Sequence, residues 1–120
     1  MALRFESVTV DAHDPQAQAR WWAQLLGWDV REDGEGEWAA APAGGGPDLL
    51  FIAVPEAKTV KNRWHPDLRP DDQPAEVARA EAMGARRVDV GQTDDVTWVV
   101  LADPEGNEFC ILRALPAGAA

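Results

Sequence analysis

Leu101-Ala102-Asp103-Pro104-Glu105-Gly106-Asn107-Glu108-Phe109 is the stretch whose reading decides the fold. It leaves one apolar run, residues 96–102, and enters another, residues 108–113. Between them lie Asp103, Pro104, Gly106 and Asn107. Proline presets φ, glycine supplies a positive φ, and Asp and Asn side chains bond their own backbone, so a tight turn between two strands is expected. Upstream, residues 86–90 read as a further strand. Pro70-Asp71-Asp72 opens a helix that runs to about Met83 and is capped by Gly84. Residues 63–69 read as a strand before that helix, with Pro66 requiring an edge or a bulge. The order is strand, helix, three strands.

The first half repeats it. Residues 5–10 alternate and are rich in β-branched side chains, as a strand is. Asp14-Pro15 supplies an N-cap and a proline at the first helical position. Ala19, Trp22, Leu25 and Leu26 recur at helical spacing, and Gly27 ends the helix. Strands are expected at 28–31, 37–41 and 48–54, separated by the turn Asp33-Gly34-Glu35-Gly36 and the loop 42–47. Asp14 stands thirteen residues before Gly27, and Asp71 thirteen before Gly84. A period of about 57 residues predicts an internal duplication, two βαβββ modules in an α+β fold. We expect a single domain over 1–114, with halves at about 1–56 and 62–114. A polar crossing linker covers 55–62, and 115–120 forms a flexible tail.

With 120 residues, 46% hydrophobic and 27% charged, the chain has the composition of one globular domain. A formal charge of -10 argues against nucleic acid and anionic membranes, both of which need a basic footprint, and favours cationic ligands. Cys110 is the lone cysteine, so no internal disulfide forms and a reducing compartment fits. Residues 1–7 show no signal-peptide pattern and no stretch approaches a membrane span, so a cytoplasmic location is expected. Six tryptophans without a tyrosine predict that some line a pocket or a subunit interface. Gly34-x-Gly36 and Gly44-Gly45-Gly46 precede no helix and read as turns, not phosphate loops. His13 is expected to be exposed.

Asp14-Pro15 through Trp21-Trp22 to Leu25-Leu26-Gly27-Trp28, the 101–109 hairpin, and the segment from Val60 to Pro70 together resemble the vicinal-oxygen-chelate superfamily, the glyoxalase, bleomycin-resistance and extradiol dioxygenase type. The resemblance covers nearly the whole chain. It implies two βαβββ modules forming an incomplete mixed barrel around a central cavity, commonly as a homodimer. Metal-dependent members hold a divalent ion with His, Glu or Gln on four strands. The corresponding positions here are Ser7, Ile52, His65 and Cys110, with Trp64 replacing His65 if Asp71 rather than Asp72 caps the helix. Only His65 is a good ligand type, and a hydrocarbon at Ile52 cannot supply a hard donor. No metal and no cofactor are expected.

Strand alternation places His65 with Asp67 and Arg69 on one face, where His65 reads as a binding or acid/base group or as a structural histidine. Cys110 reads as a thiol facing His65 or as a small buried hydrophobe. Glu108 shares its face and either reaches the cavity mouth or, like Glu105, is solvated. Trp38 and Trp98 form a cavity wall or belong to the core. Of Trp21 and Trp22, one faces the sheet and the other is exposed or at an interface. The expected ligand-binding set is Ser7, Thr9, Trp38, Ile52, His65, Asp67, Trp98 and Cys110. Three functions follow. The first is a metal-free protein that binds a hydrophobic or cationic small molecule, for sequestration or resistance. The second is a glyoxalase-like lyase or isomerase using His65 with Asp67 or Glu108. The third is a protein-association domain presenting Trp21 or Trp28.

Overall fold

A computed structural model describes residues 2–117 of the chain. The expected tail at 115–120 therefore lies partly outside the described residues. Backbone contacts divide the chain into two compact units, with the boundary between Ala57 and Lys58. The first unit contains β1 (Ser7–Ala12), α1 (Pro15–Leu26), β2 (Asp29–Gly34), β3 (Glu37–Ala41) and β4 (Asp48–Ala53). The second contains β5 (Asp67–Leu68), α2 (Gln73–Ala82), β6 (Arg86–Arg87), β7 (Val99–Ala102) and β8 (Glu108–Ile111). Both are βαβββ. Their open four-stranded sheets have the same topology, β1-β4-β3-β2 and β5-β8-β7-β6. In each, the first strand pairs parallel with the last and the remaining pairs are antiparallel, so neither sheet closes into a barrel. No described helix is long and apolar enough to cross a membrane.

The two helices begin alike because their sequences carry the same start signals. Asp14 and Asp72 each accept a hydrogen bond from the backbone N–H three residues on, at Ala17 and Ala75, both at 3.1 Å. Each bond satisfies one of the orphan donors of a first helical turn. Asp72, not Asp71, is the cap. That selects His65, not Trp64, as the counterpart of Ser7, since each stands seven residues before its cap. Gly27 ends α1 at φ 69, a conformation that favours glycine.

Every strand of the second unit is shorter than expected, β8 ending at Ile111 rather than at Arg113. Residues 63–69 yield only Asp67–Leu68, because Pro66 has no N–H to give and Pro70 ends the run. The Pro66 and Leu68 carbonyls accept from the Cys110 and Leu112 N–H at 2.9 and 2.8 Å. It is an edge strand, as a proline there requires. Residues 86–90 shrink to β6, and 96–102 to β7. Between them, Gln92 accepts from Val90 N–H (2.8 Å) and donates to the Val88 carbonyl (3.2 Å), while Asp89 accepts from Gly91 N–H (2.8 Å). Side chains that capture local backbone groups compete with the ladder. β1 starts two residues later than expected, and Phe5 stays outside it.

Trp21 and Trp22 are both buried, correcting the expectation that one is exposed. Their ring centroids are 5.3 Å apart at 76°, the edge-to-face geometry that lets two adjacent helical aromatics pack together. Trp21 therefore presents no surface patch of its own, which removes one support of the association reading.

The 103–107 turn is tied by one side chain. Asp103, only 1% exposed, accepts from Glu105 N–H and Asn107 N–H at 2.9 Å, and from the Asn107 amide at 3.0 Å. Its own N–H donates to the Asn107 carbonyl (2.9 Å), and Gly106, at φ 90, returns its N–H to the Asp103 carbonyl. Replacing Asp103 with Ala strands these donors, at about 1–3 kcal/mol for each one left unpaired in a buried place. Urea unfolding of Asp103→Ala is expected to show a loss of at least about 2 kcal/mol. A loss below about 0.5 kcal/mol would show that the turn holds without this carboxylate.

Candidate functional site

The β7–β8 hairpin sorts its side chains by parity. Val99, Leu101, Phe109 and Ile111 lie on one face, with Leu101, Phe109 and Ile111 buried together with Val77 and Ala80 of α2. Val100, Ala102, Glu108 and Cys110 lie on the other, and Asp67 joins them because β5 pairs Asp67 with Cys110. That second face borders a cavity of about 500 Å³. Val100 and Leu112 give it an apolar lining, Val90 and Gly91 come from the loop after β6, and Trp98 stands at its side. Trp98 is 41% exposed, a large ring left partly uncovered beside an empty volume. The segment before β5 contributes Lys61, Asn62 and His65.

His65, Asp67 and Cys110 form the polar centre of the cavity. His65 Nδ1 lies 3.1 Å from Asp67 Oδ1, and Cys110 Sγ lies 3.9 Å from His65 Nδ1. The Asp67 carboxylate also stands within 4.8 Å of the Cys110 sulfur. Burial, and then the Asp67 carboxylate, push that thiol up to about 11, with the ammonium of Lys61 opposing them. Asp67 thus faces the thiol that a Cys-His nucleophile would need ionised. At neutral pH Cys110 is a protonated, 5% exposed side chain and not an activated nucleophile. Imidazole nitrogen, carboxylate oxygen and sulfur do lie within 4.8 Å of one another. The spacing would admit a zinc-like ion. Ser7 and Ile52, the counterparts expected in the first unit, offer a hydroxyl and a hydrocarbon. The residues present do not fit the His, Glu and Gln set that the resemblance implies for a divalent ion.

Glu108 is not a solvated carboxylate. It is 9% exposed and forms an ion pair with Lys58 at 2.8 Å. Asn62 N–H donates to both its oxygens (3.2 and 3.3 Å), and the Asn62 amide donates to its backbone carbonyl (3.2 Å). Burial works against its ionisation, but Lys58, its own backbone N–H and that of Asn62 together outweigh burial and hold the carboxyl below its ordinary value. Glu105 stays near the surface, its backbone N–H engaged by Asp103.

His65, Asp67, Trp98 and Cys110 of the expected ligand-binding set line this cavity, together with Glu108. Ser7, Thr9, Trp38 and Ile52 belong to the first unit. There the strand register puts Trp38 opposite Phe51, on the face shared by Val8 and Val10, whereas Thr9 and Ser7 share the other face with Leu50 and Ile52. Trp38 is therefore not on one surface with Ser7, Thr9 and Ile52. Arg69, expected beside His65, instead donates to the Arg113 carbonyl at 2.7 Å. His13 is exposed, its Nε2 2.6 Å from the Pro55 carbonyl. Sequence reasoning missed Lys58, Lys61, Asn62, Val90 and Gln92. The only signal was a polar stretch at 55–62 and a loop without periodicity, and neither pattern says which way a side chain turns.

A glyoxalase-like domain model matches residues 7–112. The chain belongs to that family. Its fold is shared by a glyoxalase/bleomycin resistance protein/dioxygenase family enzyme from Burkholderia phytofirmans PsJN (TM-score 0.70, 22% identity, covering 92% of this chain and 98% of that one). It is also shared by TnmS3, an antibiotic binding protein from Streptomyces sp. CB03234 (TM-score 0.67, 21% identity, 96% and 99% covered). A bleomycin resistance determinant encoded on the transposon Tn5 is similar as well (TM-score 0.62, 16% identity, 95% and 100% covered). No curated protein sequence matches the chain.

Two measurements probe this chemistry. Disulfide exchange of Cys110 with a dithiodipyridine is expected to be slow at pH 8 and to quicken steadily toward pH 11. Asp67→Asn removes a charge that disfavours the thiolate, so it should raise the pH 8 rate by up to about tenfold, one pKa unit. An unchanged rate would disconnect Asp67 from the thiol. Glu108 has a folded pKa below its unfolded value. Its contribution to stability is therefore complete above about 4.5 and fades as pH falls through the lowered value. The urea midpoint gap between the wild type and Glu108→Gln should be widest near pH 7 and narrow below pH 4.5. A gap that widens in acid would refute the assignment.

Proposed function

We propose that this protein binds a small hydrophobic molecule in the cavity of its second half. The observation that carries the reading is an apolar volume of about 500 Å³ beside a half-covered tryptophan. That size and lining, with a few fixed polar groups, is what small-molecule sites have. Sequestration of, or resistance to, a toxic compound is the role this supports. The antibiotic binding protein and the bleomycin resistance determinant that share the fold give it precedent. The formal charge of -10 does not make the cavity anionic, since Lys58 is paired with Glu108 and the lining holds Lys61 as well as Asp67. The cavity thus favours the hydrophobic part of the expected ligand description over the cationic part.

One contact favours a second reading. His65 Nδ1 is held by Asp67, leaving Nε2 as the free ring nitrogen in a solvent-reachable cavity. A carboxylate-oriented imidazole is the arrangement a general base needs, so proton transfer in a glyoxalase-like lyase or isomerase is the alternative. The protein is further proposed to be a cytoplasmic homodimer. Supports are its lone cysteine and the exposed Leu3, Phe5 and Trp64, the last 82% exposed.

Titration with the neutral fluorophore N-phenyl-1-naphthylamine tests the binding reading. A saturable rise in its emission is expected. Trp98→Ala should weaken binding by at least about tenfold, the loss of one aromatic wall. Trp64→Ala, outside the cavity lining, should leave it unchanged. Equal affinity in the wild type and Trp98→Ala would remove the cavity as the site.

A further inference from the structure

We infer that the cavity selects planar aromatic ligands carrying an anionic or acidic oxygen, a carboxylate or a phenol, which Lys61 and His65 read. The inference rests on the binding reading above and names its ligand class.

The argument is a count of hydrogen-bonding capacity around the cavity. Glu108 is engaged by Lys58 and by the Asn62 N–H, and the Asn62 amide is engaged by the Glu108 carbonyl. Both ends of the Gln92 side chain hold the backbone at Val88 and Val90. Asp67 Oδ1 is engaged by His65. Lys61 donates to the Asn62 carbonyl at 3.1 Å, which leaves two of its three ammonium protons. His65 keeps Nε2. Asp67 and the Asn62 side chain keep acceptor capacity, but toward an acidic oxygen the cavity offers one cation with spare donors and one imidazole nitrogen.

Both ask for the same partner. Lys61 is one of the side chains that line the cavity. An anionic oxygen would complete its shell with a charge-assisted hydrogen bond. His65 Nε2 accepts from an acidic O–H when the imidazole is neutral, and donates to the oxyanion when the proton has moved to the ring. The pair is satisfied on either side of that transfer. An ammonium ligand would satisfy a neutral Nε2 but would meet Lys61 as a like charge. The face of Trp98, with Val90, Val100 and Leu112, supplies the flat apolar contact that an aromatic ring fills.

A second observation agrees. A neighbouring hollow of about 340 Å³ shares Lys61, Val90 and Glu108 with the cavity and adds Lys58 and Arg86 against Asp89. Around the two hollows three cations face three carboxylates, Asp67, Asp89 and Glu108, in a chain whose formal charge is -10. This part of the second unit is near neutral on an acidic protein. An organic anion would meet less repulsion here than over the rest of the chain.

The test is a Trp fluorescence titration of the full chain at pH 8 with three probes of one size: 2-naphthoate, 2-naphthamide and 2-naphthylmethylammonium. Naphthoate is expected to bind at least about tenfold tighter than the amide, the value of one charge-assisted hydrogen bond. Lys61→Met should bring that ratio within about threefold, and Lys61→Arg should keep most of it. Far-UV circular dichroism will show whether both variants are folded. Tightest binding of the ammonium, a naphthoate-to-amide ratio near one in the wild type, or an unchanged ratio in folded Lys61→Met overturns the inference while leaving the cavity a binding site. Failure of all three probes to bind the wild type overturns the inference and the binding reading together.

Discussion

The alternation of side chains along the β7–β8 hairpin, held in register by Asp103, is the constraint on which the second unit depends. One face carries Leu101, Phe109 and Ile111 into the core; the other turns Val100, Glu108 and Cys110 toward the cavity. A slip of one residue would exchange the two sets, placing a carboxylate in the core and Phe109 in the cavity. The turn prevents the slip because three donors, from Glu105 and Asn107, converge on one buried carboxylate. Core and site are thus two consequences of one local structure.

The cavity then solves a problem of burial. Glu108 faces inward, and an unpaired buried carboxylate would be costly. Lys58 and Asn62 answer its charge and, in doing so, bind the segment before β5 to β8. Cys110 is handled in the opposite way: burial and the neighbouring Asp67 carboxylate keep the proton on its sulfur, and the thiol stays neutral. Neighbouring positions on one face therefore carry opposite protonation logic, set by which charge stands closest. Lys61, whose only hydrogen-bond partner in this description is a backbone carbonyl, is left as the polar group with most to offer a ligand.

Several features were legible because they are local. The caps at Asp14 and Asp72, the C-terminal Gly27, the 103–107 turn and the matching order of both halves follow from residue types at short range, where backbone geometry leaves few choices. The shared face of Glu108 and Cys110 was also legible, since period-two alternation survives in short strands. The strand ends around the cavity were not legible. Gln92 and Asp89 take backbone groups out of the β6–β7 ladder, and nothing in a hydrophobic pattern records that competition. Glu108 read as a surface carboxylate because its partner, Lys58, lies fifty residues away along the chain.

The sequence by itself determined the family, the two βαβββ modules, the helix termini, and the absence of the usual ligand types at Ser7, Ile52 and Cys110. All of these rest on identity and short-range spacing. Tertiary structure alone decided that Trp21 and Trp22 are both buried, that Trp38 and Ser7 lie on different faces, that Lys61 and Asn62 line the cavity, and that Lys58 pairs with Glu108. The physical reason is range. A cap or a turn closes within a few residues, whereas an ion pair or a cavity wall is made by residues that only the folded chain brings together.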